Sequence, residues 1–195
     1  MPIRNLTVFC GSSPGVDPIH VATAAELGHG LADRGIGLVY GGAHIGMMGA
    51  LADAALSRAG DVVGVMTEAL VAHEIAHSGL TELVVVATMH ERKAMMADLA
   101  DGFVMLPGGY GTLDEFCEAL TWTQLGVHHK PCALLDPSGY FDPLLTVFDR
   151  AAEQRFVRPE HRRLVLVART VPDLLAQLAA WRPVSTAKWL DRDQR

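Results

Sequence analysis

Two charged residues stand beside a glycine-rich turn, where they could do acid–base chemistry on a bound anion. Arg92 lies near the start of a helical pattern, and Glu115 lies one helical turn beyond the glycine turn at residues 106–112. Backbone NH groups approach an anion closely only where no side chain intervenes, and a following helix adds the positive end of its dipole. A carboxylate and a guanidinium beside such a turn predict a site that binds a phosphorylated ligand and reacts with it.

The glycine turn is one of three glycine-rich segments that each follow a strand-like apolar run, at residues 10–15, 40–49 and 106–112. The carboxyl ends of parallel strands share one edge of a sheet, and ligands bind there where the strand order reverses. None of the segments is a Walker loop, and the first does not match G-x-G-x-x-G, which favours a mononucleotide over a dinucleotide. The alternative is that these glycines only shape tight turns. The loop residues predicted to bind the ligand are Gly11, Ser12, Gly41, Gly42, Gly108, Gly109, Tyr110, Gly111 and Thr112.

The charged residues have structural explanations as well as functional ones. A carboxylate in the first turn of a helix is stabilised by the helix dipole, so the position of Glu115 alone does not require catalysis. A cation at a helix start opposes that dipole, so Arg92 needs a compensating negative group, which a bound phosphate would supply. Thr112 is predicted to cap the helix that carries Glu115.

Residues 73–77 read HEIAH, which matches the H-E-x-x-H pattern of zinc peptidases. Gly79 interrupts the segment, and its neighbours have the character of a loop between strands, so we predict no metal site. A zinc peptidase is therefore the third of the three functions considered for this chain, after the two described below. The three cysteines, Cys10, Cys117 and Cys132, are widely separated, and we interpret them as small buried apolar residues.

Apolar runs alternate with helical patterns along the chain, which predicts an α/β fold with a parallel sheet covered on both faces. We predict a single domain over residues 1–182 and a frayed tail over residues 183–195, with residues 67–81 irregular. The predicted strands are residues 6–11, 35–42, 61–66, 82–88, 101–107, 131–136 and 163–168. The predicted helices are residues 17–34, 46–58, 90–99, 112–125, 141–155 and 171–181.

Composition and charge exclude several classes of protein. The formal charge is −6, whereas proteins that bind a nucleic-acid backbone carry an excess of positive charge. No apolar run approaches the about 20 residues that span a bilayer, and the apolar stretch near the start is too short for a secretory signal. We therefore expect a cytoplasmic protein with neither nucleic-acid nor membrane partners. Half of its residues are hydrophobic, and the excess apolar surface is expected to lie in a subunit interface.

Five segments together resemble the cytokinin-activating phosphoribohydrolases of the LOG ("lonely guy") type, which often carry the label lysine decarboxylase. The resemblance spans roughly residues 6–155. It implies a Rossmann-like, doubly wound fold and a homodimer that cleaves the N-glycosidic bond of a cytokinin riboside 5'-monophosphate, and often of AMP. The products would be the free base and ribose 5-phosphate, with no metal or organic cofactor. The segments are FCGSSPG (9–15), LVYGGAHIGMMG (38–49), MHERKAMM (89–96), LPGGYGTLDEFCEALTWTQLG (106–126) and HKP (129–131).

The resemblance also implies which residues act. The family's catalytic arginine falls on Arg92, and its catalytic glutamate, which closes P-G-G-x-G-T-x-x-E, falls on Glu115. The further positions implied to bind substrate are Glu74, Lys93, the turn 108–112, Asp114 and Thr121. The chain departs from the family at Ala43, often glycine there, and at Asp114, often glutamate.

A second hypothesis comes from a different class of protein. Related folds bind nucleotides or nucleotide-containing cofactors without cleaving them, so the chain could be a non-catalytic nucleotide-binding protein. The lysine decarboxylase label has no support in the residues, because no lysine lies in a recognisable pyridoxal phosphate motif.

Overall fold

The strands form one parallel sheet in the order β4-β3-β2-β1-β5-β6-β7. The computed structural model describes residues 3–73 and 75–183. The observed order confirms the predicted doubly wound α/β fold with a parallel sheet. The strands are β1 (Asn5–Phe9), β2 (Gly37–Tyr40), β3 (Val62–Thr67), β4 (Glu82–Val86), β5 (Gly102–Met105), β6 (Cys132–Leu135) and β7 (Val165–Ala168).

Helices connect the strands, and their bounds correct several predictions. The short helix α3 lies inside the segment predicted to be irregular, and the four-residue α7 was not predicted. Both helices are too short to show an apolar period of 3.6 residues in the sequence. The helices are α1 (Pro18–Ala32), α2 (Gly46–Leu56), α3 (Glu68–Ala72), α4 (Met89–Leu99), α5 (Tyr110–Leu125), α6 (Asp142–Glu153), α7 (Pro159–Arg162) and α8 (Val171–Ala180).

The sheet is buried on both faces because alternate strand residues point to opposite sides. In β5, Val104 packs into the apolar cluster formed with α1, α2 and α8. Its neighbours Phe103 and Met105 pack into the opposite cluster, formed with α4 and α5. Two covered faces explain why the strands read as continuous apolar runs.

The strand order reverses between β1 and β5. From β1 the chain builds outward through β2, β3 and β4 on one side, and then returns to place β5, β6 and β7 on the other. The loops after β1 and β5 touch each other: the Gly11 amide donates to the Pro107 carbonyl at 3.0 Å, and the Leu106 amide to the Phe9 carbonyl at 2.9 Å. Two of the three glycine-rich segments therefore meet at the switch point, where ligands bind in such sheets.

Two other predictions concern the burial of the cysteines and the division of the chain into domain and tail. Cys10 and Cys132 are buried as predicted, but Cys117 is partly exposed on α5, because its helix face turns toward the protein surface. The tail from residue 184 onward lies outside the described residues, so the division into domain and tail stays a prediction. Across residues 3–73 and 75–183, no helix is long and apolar enough to cross a membrane.

Candidate active site

A cleft of about 440 Å³ opens at the carboxyl edge of the sheet, over the switch point. Its walls come from all three glycine-rich segments, from the starts of α4 and α5, and from apolar side chains in β3 and in the segment after it. The predicted site residues that line it are Gly11, Ser12, Gly41, Arg92, Gly109, Tyr110, Gly111, Thr112 and Glu115. The other lining residues are Cys10, Ala43, Met48, Met66, Leu70, Ile75 and Met89.

A buried ion pair joins the two predicted catalytic residues at the floor of the cleft. Arg92 Nη1 donates to Glu115 Oε1 at 2.7 Å, and the two side chains are only 6% and 7% exposed. Arg92 Nε also donates to the Val65 carbonyl at 2.8 Å, and Nη2 donates to the Gly41 carbonyl at 3.4 Å. The guanidinium is thus held in place by protein groups on three sides.

The pair has an electrostatic consequence for Glu115. Burial raises the pKa of the Glu115 carboxyl above its usual range, and the neighbouring Arg92 charge opposes that rise without cancelling it. The pair also supplies a negative group that Arg92 needs at its helix start. Local patterns in the sequence do not reveal this contact, because Glu115 lies on α5, 23 residues after Arg92.

The start of α4 is fixed by its own capping residues. The Thr88 hydroxyl accepts from the Glu91 amide at 3.1 Å, and the Glu91 carboxylate accepts from the Thr88 amide at 3.2 Å, which forms a capping box. Arg92 follows immediately, so its position in the first turns of the helix is set by local sequence.

The glycines at the start of α5 face open space. A Cβ atom built on Gly109 or Gly111 meets no heavy atom within 4 Å. Gly109 has φ −93°, so backbone strain does not require glycine there. Gly109 is the N-cap of α5 without a side-chain cap, and the first NH groups of a helix have no partner inside it. Gly109 and Gly111 therefore leave an uncovered cradle of amides, which suits an anion.

Two nearby glycines, Gly108 and Gly41, are required by packing within the protein. A Cβ on Gly108 would collide with Thr112 Oγ1, and one on Gly41 would lie 2.7 Å from Arg92 Nη2. The structure also shows that Thr112 does not cap α5, contrary to the prediction from the sequence. The helix begins two residues earlier, at Tyr110, because the extended Gly109 serves as its N-cap.

Comparison with known proteins decides the family. Residues 48–178 match the protein family described as "Possible lysine decarboxylase". The chain is 47% identical over 176 residues to "Cytokinin riboside 5'-monophosphate phosphoribohydrolase" of Rhodococcoides fascians, covering 90% of this chain and 89% of the relative. It is 43% identical over 180 residues to "Cytokinin riboside 5'-monophosphate phosphoribohydrolase LOG7" of Arabidopsis thaliana, covering 92% and 83%. The chain belongs to the LOG-type phosphoribohydrolase family.

Solved structures that resemble this LOG-family chain share its fold. The molybdenum cofactor binding protein from Rippkaea orientalis superposes with a TM-score of 0.69 at 20% identity, covering 90% of this chain and 95% of that one. The molybdenum cofactor carrier protein from Chlamydomonas reinhardtii also gives 0.69, at 22% identity, covering 92% and 100%. At this level of identity, the likeness concerns the architecture alone.

Several positions predicted to bind substrate, from the glycine loops or from the LOG resemblance, are not among the residues that line this cleft. Lys93 does not line the cleft, and its Nζ lies 3.2 Å from Asp114 Oδ2 and 3.1 Å from Glu118 Oε2. Thr121 is exposed on α5, where its hydroxyl donates to the Cys117 carbonyl. Gly42 and Gly108 support the loops without lining the cleft, and Glu74 lies outside the described residues. Glu118 had no sequence signal, since a charge inside a helix usually marks a solvated face.

A second cavity of about 500 Å³ adjoins the first and shares Gly11, Ser12 and Gly109 with it. Tyr140 lines this second cavity, and its hydroxyl donates to the Gly108 carbonyl at 2.7 Å. Sequence reasoning missed Tyr140 because it lies after β6, far along the chain from the glycine turn that it contacts.

The H-E-x-x-H match does not have the geometry of a zinc peptidase. Helix α3 ends at Ala72, and Ala76 forms an antiparallel bridge with Ala43, so the two histidines do not share a helical face. His77 Nδ1 accepts from the Gly79 amide, and Nε2 lies 2.9 Å from the Asp53 carboxylate to which it donates. Within the described ranges, no three His, Cys, Asp or Glu side chains are arranged to hold a metal ion.

Proposed function

We propose that the chain hydrolyses the N-glycosidic bond of nucleoside 5'-monophosphates, both cytokinin riboside 5'-monophosphates and AMP, to the free base and ribose 5-phosphate. The observation that carries this proposal is the buried Arg92–Glu115 pair beside the uncovered cradle at Gly109 and Gly111. The relatives with 42–47% identity are named cytokinin riboside 5'-monophosphate phosphoribohydrolases, which supports the first of these substrates.

The 5'-phosphate would lie on the first turn of α5. Its oxygens would accept from the uncovered amides of that turn, where the helix dipole stabilises negative charge. No side chain occupies the space in front of Gly109 and Gly111, so a phosphate can approach the backbone directly. Ser12, which lines the same cleft, is available as a hydroxyl donor.

The reacting bond would then lie over Glu115. Breaking the bond from C1' to the base nitrogen leaves its electron pair on the base and develops positive charge on the ribose, as in glycoside hydrolysis. The Glu115 carboxylate stabilises that charge and takes a proton from the water whose oxygen bonds to C1'. That proton then passes to the nitrogen of the departing base, so the base leaves neutral and Glu115 is again a carboxylate. Arg92, held by two carbonyls, fixes the carboxylate in place and favours its ionised form.

The base would lie against the apolar side chains of the cleft. Met48, Met66, Leu70, Ile75 and Met89 are the large apolar side chains that line the cleft. Such a surface accepts the face of a purine and an apolar substituent on its amino group. Flexible methionine side chains can fit substituents of different shape.

We further propose that the protein is a cytoplasmic homodimer with one catalytic domain over residues 1–182. Large apolar side chains on its surface support a subunit interface, including Val127, Val147 and Phe156, which is 84% exposed. Light scattering coupled to size exclusion tests this, and a monomer at micromolar concentration would contradict it.

The first experiment replaces Glu115 by Gln. Purified wild-type protein and the variant are incubated with AMP and with isopentenyladenosine 5'-monophosphate, and base and ribose 5-phosphate are quantified by chromatography. We expect E115Q to lose at least about a hundredfold in kcat, the scale of a lost acid–base group.

The matched control is Glu153→Gln, an exposed carboxylate on α6 outside the cleft, which should leave turnover unchanged. Near-normal turnover by a folded E115Q variant would refute the role of Glu115. Tight AMP binding by the wild-type protein without release of base would identify a non-catalytic nucleotide-binding protein instead.

A further inference from the structure

Tyr140 contacts the glycine turn at the start of α5 from the loop between β6 and α6. Its hydroxyl donates to the Gly108 carbonyl at 2.7 Å, a usual length for a hydroxyl donor. The residues predicted to bind substrate all precede this loop in the chain. The contact therefore connects the proposed phosphate site to a segment that has no assigned role in it.

The backbone carbonyls around this turn are taken by donors of the protein. The Pro107 carbonyl accepts from the Gly11 amide at 3.0 Å, and the Gly109 carbonyl accepts from the Leu113 amide at 3.1 Å. Tyr140 supplies the donor for the carbonyl between them. The Gly109 amide, in contrast, donates to no acceptor among the described residues. The turn binds its own acceptors internally and leaves this donor to a ligand.

The carbonyl that Tyr140 binds belongs to the same peptide unit as the Gly109 amide. In a trans peptide the C=O and N–H bonds point in opposite directions, and the described residues contain no cis peptide bond. A carbonyl directed at Tyr140 therefore directs the Gly109 N–H bond away from Tyr140. Gly109 lines both the cleft and the second cavity, whereas Tyr140 lines only the second cavity, so the N–H bond points to the side of the cleft.

A peptide unit between two glycines rotates more easily than one between other residues. Glycine populates more backbone conformations than any other residue, and the space where a Gly109 side chain would stand is open. A hydrogen bond to the Gly108 carbonyl restricts this rotation before a ligand arrives. A binding group that is already oriented loses less entropy when the ligand binds.

Tyr140 is itself held by a buried carboxylate. Asp136 is fully buried after β6, and it accepts from the Tyr140 amide at 2.8 Å and from the Phe141 amide at 3.0 Å. The Arg169 guanidinium donates to the same carboxylate at 2.9 Å. The Tyr140 ring packs edge-on against Phe141, with ring centroids 5.0 Å apart. The loop therefore presents the hydroxyl from a fixed position.

We propose that Tyr140 is a positioning residue, which orients the peptide between Gly108 and Gly109 so that the Gly109 amide donates to the 5'-phosphate. This inference rests on the proposed function and adds a residue to its phosphate site. Tyr140 acts through the backbone of the turn and contacts no reacting atom. Asp136 supports it by fixing the backbone on which Tyr140 lies.

The test compares Tyr140→Phe with the wild-type protein, because phenylalanine keeps the ring and removes only the hydroxyl. Ribose 5-phosphate is the probe, and its affinity, measured by calorimetric titration, should fall by about tenfold in Y140F. The KM for AMP should rise by a similar factor with kcat nearly unchanged, because phosphate binding is lost equally from the substrate and the transition state. The affinity for adenosine, which has no phosphate, should not change.

A second measurement follows the orientation of the Gly109 N–H bond directly. The residual dipolar coupling of this bond, recorded on ligand-free protein labelled with nitrogen-15, should differ between Y140F and the wild type. The matched control is Ser57→Ala at the end of α2, which also removes a hydroxyl that donates to a backbone carbonyl at 2.7 Å. Ser57 lines neither cavity, so S57A should keep the wild-type affinity for ribose 5-phosphate and the wild-type coupling.

Three results would overturn the inference. The first is an unchanged affinity for ribose 5-phosphate in Y140F. The second is a weaker affinity with an unchanged Gly109 coupling, which would mean that the hydroxyl contacts the phosphate itself. The third is a wild-type protein that binds no ribose 5-phosphate, which would remove the phosphate site as well. Neither measurement needs turnover, so binding of ribose 5-phosphate without release of base from AMP would refute the hydrolase alone.

Discussion

The glycines after β2 and the glycines at the start of α5 lie at the same edge of the sheet, but the structure constrains them differently. Gly42 has φ +83°, and a Cβ there would lie 2.5 Å from the Met66 side chain, so packing and backbone conformation both demand glycine. Gly109 and Gly111 have neither constraint, because an added Cβ would enter empty space. Packing within the chain therefore does not explain these two glycines, whereas the phosphate site that we propose at the start of α5 would require them.

The two sets of glycines therefore predict separate effects on protein stability and on ligand binding. Substitutions after β2 should act on folding, while substitutions at the start of α5 should act on the ligand and leave the fold intact.

The largest expected effect is on turnover. Gly111→Ala puts a methyl group into the cradle, so we expect kcat/KM for AMP to fall by about a hundredfold, the loss of close backbone contacts to the phosphate. The melting temperature should be unchanged or slightly higher, since alanine restricts the unfolded chain. Initial rates of adenine release from AMP and circular dichroism melting measure the two effects. Full activity in G111A would mean that the phosphate lies elsewhere.

The converse change should destabilise the protein. Gly42→Ala forces a side chain into the left-handed region against Met66, and we expect a loss of about 1–3 kcal/mol in the free energy of unfolding. Urea denaturation followed by circular dichroism gives this value. Gly35→Ala is a useful reference, because Gly35 has φ +64° but open space around it, so it isolates the backbone cost from the packing cost. Equal losses in the two variants would show that Met66 makes no difference.

The smallest expected effect is a shift in pH dependence. Since the pKa of Glu115 is raised above its ordinary value of 4.5, its carboxylate form is lost at a higher pH than for an exposed glutamate. Activity that needs the carboxylate should therefore decline on the acid side with a midpoint above 4.5. Initial rates from pH 4 to 8, with melting curves at each pH to exclude unfolding, measure this limb. A midpoint at or below 4.5 would contradict the effect of burial on Glu115.

Regular alternation along the chain was enough to predict the parallel sheet, because buried strands and amphipathic helices leave distinct local patterns. The glycine loops could also be placed at one edge, since strand ends of a parallel sheet share it. Local patterns do not extend to helices of four or five residues such as α7 and α3, which carry less than two turns of periodicity.

The geometry of the site could not be predicted from the sequence, because it depends on contacts between residues that are far apart along the chain. No pattern reveals that Arg92 meets Glu115 or that Lys93 turns away toward Glu118, because side-chain direction is set by how α4 packs on α5. The resemblance to the LOG family supplied candidates such as Thr121, and the structure separates them from the residues that line the cleft. Which glycines are constrained by packing likewise requires coordinates.

The anchoring of Arg92 affects how genetic variation at this position should be interpreted. Its guanidinium binds a carbonyl at the end of β2, a carbonyl of β3 and the carboxylate on α5, so one side chain couples three separate segments to its own helix. A variant that lacks Arg92 would lose abundance and chemistry together. Growth or activity screens alone would score such a variant as catalytically dead without distinguishing the two losses, and only a measurement on purified, folded protein assigns the defect.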